Sequence, residues 1–372
     1  MSENPWTLRS EDIEALQLGA QILGSGGGGT TWEVSLAVRE LLAENGPVTV
    51  FPNSYMSADD LAIPVGLVGS VVAYTEKPSD ALPFVEAFDA IRLDTQTPFV
   101  CSYETAGMNT FAGVLVAASA GVPLVDVDGM GRAFPGLHQT SFRLGGVKIT
   151  PCSIVSSAGR RIDILGHTPE EAEEVIRTLM RTAGGWAAFA GYSMTGTDIR
   201  RAGIPGSLRR ALDLGTGLTS ALKSRGNARD AIEVFARETT SASLIAHGRI
   251  VEVTWRNAHD KQHIERRAGS IVVESAADGR FLRIEAQSEY LLLMEAGEVL
   301  AATPDIIDVL DARTGTPIVA EALLPGFAVC VITVKAPQTW HSSGAGALVG
   351  PSAFGYSLTQ EGPSSDDDSE HP

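Results

Sequence analysis

Apolar and polar positions alternate between helical and strand spacing along the N-terminal part of the chain. Thr7–Gly24 carries Ile13, Leu16, Ala20 and Leu23 on one helical face, with Ser10 placed to cap it. A second helix is predicted from Thr31 to Glu44, strands at Val48–Phe51 and Val65–Val72, and a helix over Ala81–Ile91. Thr97–Val100 then reads as a short buried strand, Thr110–Ala120 as an uncharged helix stopped by Gly121 and Pro123, and Pro123–Val127 as another strand. Alternating β and α signals predict an α/β domain with a mixed or parallel sheet. Phe142–Val155 and Arg160–Ile164 read as short strands that close it.

The pattern changes after residue 166. Thr168, Pro169, Glu170 and Glu171 start a helix that runs to about Thr182, and Leu208–Lys223 is amphipathic. From Ser243 the chain becomes β-rich: Gly248–Trp255, Gly269–Val273, Phe281–Ala286, Tyr290–Met294, Val299–Thr303 and Phe327–Val334 are short runs at barrel or sandwich spacing. The expected organisation is an α/β domain over residues 1–166, an α+β domain over 167–358 that is β-rich from about 245, and an acidic disordered tail over 359–372.

Charge narrows the partners. A formal net charge of −17 opposes nucleic acid and anionic membranes, both of which need a basic surface. Met1–Ser10 lacks the apolar core of a signal peptide, and no uncharged run reaches the roughly 18 residues of a membrane span. Cys101, Cys152 and Cys330 are unclustered and sit in apolar surroundings, so reduced core thiols in a cytoplasmic protein are expected. Assembly into a homo-oligomer is left open.

Candidate chemistry concentrates in Cys101–Pro135. Glu104 and Asn109 follow one strand, and Asp126, Asp128, Gly129, Gly131 and Arg132 end the next, so two acid-bearing edges should meet at one end of a parallel sheet, where ligands bind. Gly26, Gly27, Gly28, Gly29 and Thr30 precede a helix and would let backbone N–H groups approach an anion, although a tight helix–helix turn explains them equally well. Asp126, Asp128 or Glu104 would serve as a general base and His138 as an acid or metal ligand, while Asn109, Arg132 and the glycine loop would bind substrate. The alternative for Asp128 is structural, a cap on the Gly-Met-Gly turn paired with Arg132. Gln287 and Glu289, between two strands, would supply a further wall of the cleft. His259 and His263 read as part of a solvated loop, and a divalent metal such as zinc remains a possible cofactor that no spacing marks.

GSGGGG near the N-terminus, then E-x-x-G-x-N, VDVDGMGRAFP, PDIIDVLD and VGPSAFGY resemble the S-methyl-thiohydantoin desulfurase family, described as hydantoinase- or oxoprolinase-like, from about residue 8 to about 357. The resemblance implies an N-terminal α/β domain, a β-rich C-terminal domain, and action on a five-membered cyclic thioamide or urea-like ring. The chain departs from the family pattern at Glu104-Thr105-Ala106-Gly107, at Gln287-Ser288-Glu289, at Thr30-Thr31, and at HDKQHIERR in place of a glycine-rich basic segment. Two functions follow: a hydrolase that releases sulfide or thiol from a small ring by water attack, or a non-catalytic ligand-binding or partner subunit of a hydantoinase-type complex.

Overall fold

The computed structural model describes residues 4–77, 80–92, 97–255 and 268–358. His259, His263 and the segment 359–372 lie outside the described residues.

The first sheet runs in the order Trp6–Leu8, Val48–Phe51, Leu124–Val125, Phe99–Ser102, Leu61–Gly69, Trp186–Ala190, Cys152–Ser156, Arg161–Ile164, with Met194–Thr195 also pairing onto Leu61–Gly69. Its centre is parallel: Val48–Phe51 pairs with Leu124–Val125, and Phe99–Ser102 with both Leu124–Val125 and Leu61–Gly69. The flanks are antiparallel, which makes the sheet mixed. Ala112–Ala120 links two of the parallel strands, and Val114, Leu115 and Val116 are buried, as an uncharged crossover helix requires. The carboxyl ends of these strands therefore converge on one edge.

Three sequence expectations change. Leu61–Gly69 begins before Val65 and stops at Gly69, after which Val71–Glu76 is a short helix capped by Ser70. Ser141–Leu144 is a helical turn, so only Cys152–Ser156 of the Phe142–Val155 run is a strand. Trp186–Ala190 is an additional strand, fully buried, and residues beyond 167 therefore complete the first sheet.

The second sheet is wholly antiparallel, in the order Glu298–Ala302, Tyr290–Glu295, Phe281–Ala286, Gly269–Ser275, Ala242–Trp255, Ala328–Val334, Ile306–Asp311, and curls into a half-barrel. Irregular register near Ala246 and Ile250 bends its longest strand, a common way to curve a sheet. Ile306–Asp311, not among the predicted strands, forms one edge of this sheet.

Between the sheets, Ile13–Gly24 crosses Ser207–Ser224 at very short range. A Cβ on Gly19 would lie 1.7 Å from the Ala211 carbonyl oxygen, and one on Gly215 equally close to that of Ala15. Only glycine permits this approach, which fixes where the first helix ends and where the glycine loop begins. Pro169–Ala183 packs beside the first sheet; Thr168 accepts from the Glu171 N–H and Glu171 from the Thr168 N–H, a complete capping box.

Candidate active site

The glycine loop is held from both domains. Ser25, in the left-handed region, ends Ile13–Gly24; its carbonyl accepts from Tyr290 N at 2.7 Å, and its hydroxyl donates to the Ile307 carbonyl at 2.8 Å. Gly26 O accepts from Ala320 N, and Gly28 O from Met108 N. A Cβ on Gly28 would come within 2.9 Å of Gly107 Cα, and one on Gly27 within 2.6 Å of Glu289 Oε1. The loop thus joins the Glu104–Asn109 edge to the C-terminal domain. Thr30 lies outside this clamp, exposed, with its hydroxyl 3.4 Å from Glu33.

Glu104 is 4% exposed at the end of the parallel strand Phe99–Ser102. Asn109 Nδ2 donates to its Oε2 at 2.5 Å, while Asn109 Oδ1 accepts from Leu67 N on the neighbouring strand at 2.6 Å. Burial pushes the carboxyl up to about 8; Asn109 and the Phe134 N–H oppose this, and the negative charges of Glu289 and Asp128 add to it. The group is poised to exchange a proton near neutral pH.

Asp126 and Asp128, both candidate general bases, accept hydrogen bonds from main-chain N–H groups. Asp126 accepts from Leu208 N and Arg209 N, holding the start of Ser207–Ser224. Asp128 Oδ2 accepts from Thr105 N and Gly131 N, both at 2.7 Å, and Oδ1 from the Ser207 hydroxyl at 2.6 Å. It caps the turn, as the structural alternative anticipated, but its partners are Thr105, Gly131 and Ser207 rather than Arg132. The bond to Thr105 also places Asp128 directly behind Glu104.

Arg132 is fully buried and donates to main-chain carbonyls: Asp305 at 2.9 Å, Ala133 at 2.9 Å, and Pro304 and Tyr290 at 3.4 Å. Burial lowers it to about 10, while Glu289, Asp305, Glu104 and Asp308 pull the other way. Expected as a substrate ligand, it stitches the DGMGR turn to the C-terminal domain. Asp308 is fully buried; its Oδ1 accepts from Val309 N, its Oδ2 has no hydrogen-bond partner among the described residues, and burial holds it far above the usual carboxylate range.

His138 does not contact this cluster directly. Its Nδ1 meets Glu173, which also binds Arg177, whose guanidinium donates to the Pro135 carbonyl at 2.6 Å. Burial pushes Glu173 up, but His138 and Arg177 outweigh it and hold the carboxyl down at about 2. Gln287 Nε2 donates to the Phe354 carbonyl at 3.2 Å, so Pro351–Phe354 borders the Gln287–Glu289 turn. Tyr103, unmarked in the sequence analysis, is buried directly before Glu104, and burial, then the charges of Glu104 and Glu173, hold its phenol well above the usual range. Being an aromatic residue directly before Glu104 was its only sequence signal. Among the described residues, no group of three or more His, Cys, Asp or Glu side chains is arranged to hold a metal ion. Cys101, Cys152 and Cys330 are free and buried, and no helix among the described residues is long and apolar enough to cross a membrane.

Fold and site together define a two-domain protein in which a mixed α/β sheet and an antiparallel half-barrel close around a buried carboxyl cluster behind a glycine loop. The model of the S-Me-THD-like N-terminal domain matches residues 11–164 and that of the S-Me-THD-like C-terminal domain residues 167–362, so the chain belongs to the S-Me-THD-like, or S-methyl-thiohydantoin desulfurase, family. A crystal structure of a protein from Chromobacterium violaceum shares the fold, with a TM-score of 0.71 at 23% identity over 91% of this chain and 94% of that one. No curated protein matches.

Proposed function

We propose that the protein is a hydrolase acting on a small five-membered cyclic thioamide or amide, of the thiohydantoin or hydantoin type. Family membership supports the desulfurase class. The observation that carries the reaction type is Glu104, a buried carboxyl raised to about 8 and aimed by Asn109 beside the glycine loop. In this reading Glu104 takes a proton from water as the oxygen attacks the ring carbon that bears sulfur. Charge collects on sulfur and ring nitrogen, where backbone N–H groups of the glycine loop can offset it. The carbon–sulfur bond then breaks as the added hydroxyl becomes the ring carbonyl; its proton passes to the ring nitrogen of an S-alkyl ring or to the departing sulfide of a thioxo ring, and the proton held by Glu104 goes to the departing sulfur.

The second reading, a ligand-binding or partner subunit without turnover, draws on the close packing of Gly27 against Glu289 and the slight exposure of Glu104. Incubation with a panel of S-methyl-thiohydantoins, thiohydantoins and hydantoins, assayed for thiol, sulfide and ring opening, separates the two. Thiol or sulfide release that disappears in Glu104→Gln supports the hydrolase. Saturable binding without product across the panel supports the subunit.

A further inference from the structure

The two ends of the first sheet are guarded differently. At one end Trp6–Leu8 is short and follows Pro5, which has no N–H to offer a further strand. At the other, Arg161–Ile164 pairs with Cys152–Ser156 alone, and no described strand lies on its outer side. We propose that this outer edge pairs with the same edge of a second copy of the chain, antiparallel about a two-fold axis at Ile162, so that the two first sheets join into one. The main-chain pattern determines which groups are open. Ser156 N–H donates to the Arg160 carbonyl, and the register places Ile154 opposite Ile162 and Cys152 opposite Ile164. Hydrogen-bonded positions alternate along an antiparallel strand, so Arg160, Ile162 and Ile164 turn their main-chain groups toward Cys152–Ser156, and Arg161 and Asp163 turn theirs outward. The two-fold axis sets Arg161 opposite the partner's Asp163 and Asp163 opposite the partner's Arg161. Each facing pair then exchanges both of its N–H···O bonds.

The side chains obey the same symmetry. Arg161 and Asp163 are exposed, and Arg161 donates to Asp163 along its own strand from Nε at 2.9 Å and from Nη2 at 2.7 Å. Charged residues on an edge ordinarily keep strands apart, because a second copy presents the same sign. Here the sign alternates, and the two-fold register brings each guanidinium against a carboxylate of the other copy, a cross-strand pairing that stabilises a sheet. On the opposite face Ile162 meets the partner's Ile162 at the close spacing of a non-hydrogen-bonded pair. Ile162, Val175 and Leu179 are only partly buried within one subunit, and Leu165, directly after the strand, is 69% exposed. Val175 and Leu179 also line a surface groove with His167. A second copy on this edge would shield apolar surface that a single subunit leaves in water.

Sedimentation velocity of the full chain over a concentration series tests the edge without any ligand and without turnover. Wild type should sediment as a reversible dimer. Arg161→Asp and Asp163→Arg should each weaken the dimer at least about tenfold, because both facing pairs then carry like charges. Mixing the two variants in equal amounts should restore a dimer near wild-type strength: one facing pair is then native and the other carries both reversals, so opposite charges meet at each. Thermal melting identifies the folded variants. Asp163 also accepts from the Ser153 hydroxyl at 2.8 Å; should Asp163→Arg not fold, Arg161→Asp at its exposed position decides alone, and an unweakened dimer there sinks the proposal. A wild-type protein that stays monomeric at every soluble concentration, or a dimer that neither reversal weakens, would overturn it. So would two weakened variants whose mixture stays monomeric, since the rescue is specific to the two-fold register.

Discussion

The two acid-bearing edges of the first sheet look alike in sequence and differ in what surrounds the carboxyl. At the Asp126–Arg132 edge, each aspartate receives main-chain N–H groups, and Asp128 also receives the Ser207 hydroxyl. At the Glu104 edge, one amide and one N–H face a carboxyl whose charged neighbours are the acids Glu289 and Asp128 and the buried Arg132. Burial raises the carboxyls at both edges, but its N–H donors hold Asp126 to about 6, whereas at Glu104 burial and two neighbouring acids outweigh the donors and leave it at about 8, available for chemistry near neutral pH. Burial alone therefore does not mark a catalytic acid. The balance of donors against neighbouring charge does.

The largest effect should follow from removing the Glu104 charge. Glu104→Gln keeps the shape and one acceptor, and turnover of a substrate ring should fall about 10²-fold or more, the scale of a general base. Stability should move the other way. Because the folded carboxyl is raised from 4.5 to about 8, the folded state binds its proton more tightly than the unfolded chain, so wild-type stability falls as pH rises from about 4.5 to about 8. Chemical denaturation at several pH values should show this slope flattened in Glu104→Gln. A slope unchanged by the substitution would mean that Glu104 is solvated like an ordinary surface acid.

Asp128→Ala tests the opposite half of the comparison. It strands the Thr105 and Gly131 N–H groups, while the Ser207 hydroxyl keeps the Ile204 carbonyl, and at about 1–3 kcal/mol for each buried unsatisfied group the loss should be about 2–6 kcal/mol. Asp128→Asn should cost less, because its oxygen can serve the two N–H groups while its amide donates to Ser207. Turnover per folded molecule should stay within about tenfold of wild type in Asp128→Asn, below the effect of losing a base. A well-folded Asp128→Asn protein with turnover as low as Glu104→Gln would reverse the two assignments.

Arg132→Lys should have a smaller effect, about 2 kcal/mol, because one ammonium cannot reach the Ala133, Tyr290, Pro304 and Asp305 carbonyls that the planar guanidinium spans. Since these bonds join the two domains, hydrogen exchange should rise at Tyr290 and Ile306–Asp311 together. Loss of affinity for a ring with no rise in exchange would restore Arg132 as a substrate ligand.

The limits of sequence reading follow the same division between local and tertiary causes. The α/β alternation and the β-rich C-terminal run were legible because one face of each element is apolar at its own period. WAAFA at Trp186–Ala190 was not, because a strand covered on both faces has no polar alternation and its flanking glycines resemble a loop. Ile306–Asp311 was not legible either: Asp305, just before it, is held by tertiary bonds, its side chain accepting from Ala336 N and pairing with Lys335, which follow a strand distant in sequence. At the site, Glu104 and Asn109 were visible as a polar break after an apolar strand. The Glu173–His138 contact was not, since Glu173 reads as one more acid in a charged helix until packing turns it inward.

The smallest expected effect sharpens the comparison at the glycine loop, which lies between the saturated edge and the poised one. Gly26–Gly28 are committed to contacts with Tyr290, Ala320, Glu289 and Gly107, so substitutions there would disturb the clamp and confuse packing with binding. Thr30 is exposed and its one hydroxyl contact, with Glu33, is long at 3.4 Å. Thr30→Ala should therefore change the melting free energy by no more than about 0.5 kcal/mol, the usual range for a surface position. If the outer part of the loop borders the bound ring, the same change should raise KM a few-fold through a lost hydrogen bond worth about 1 kcal/mol, with kcat nearly constant because the hydroxyl touches no reacting atom. A variant with unaltered KM would confine substrate contacts to the inner loop and Glu104, whereas a fall in kcat alone would place Thr30 nearer the chemistry than its exposure suggests.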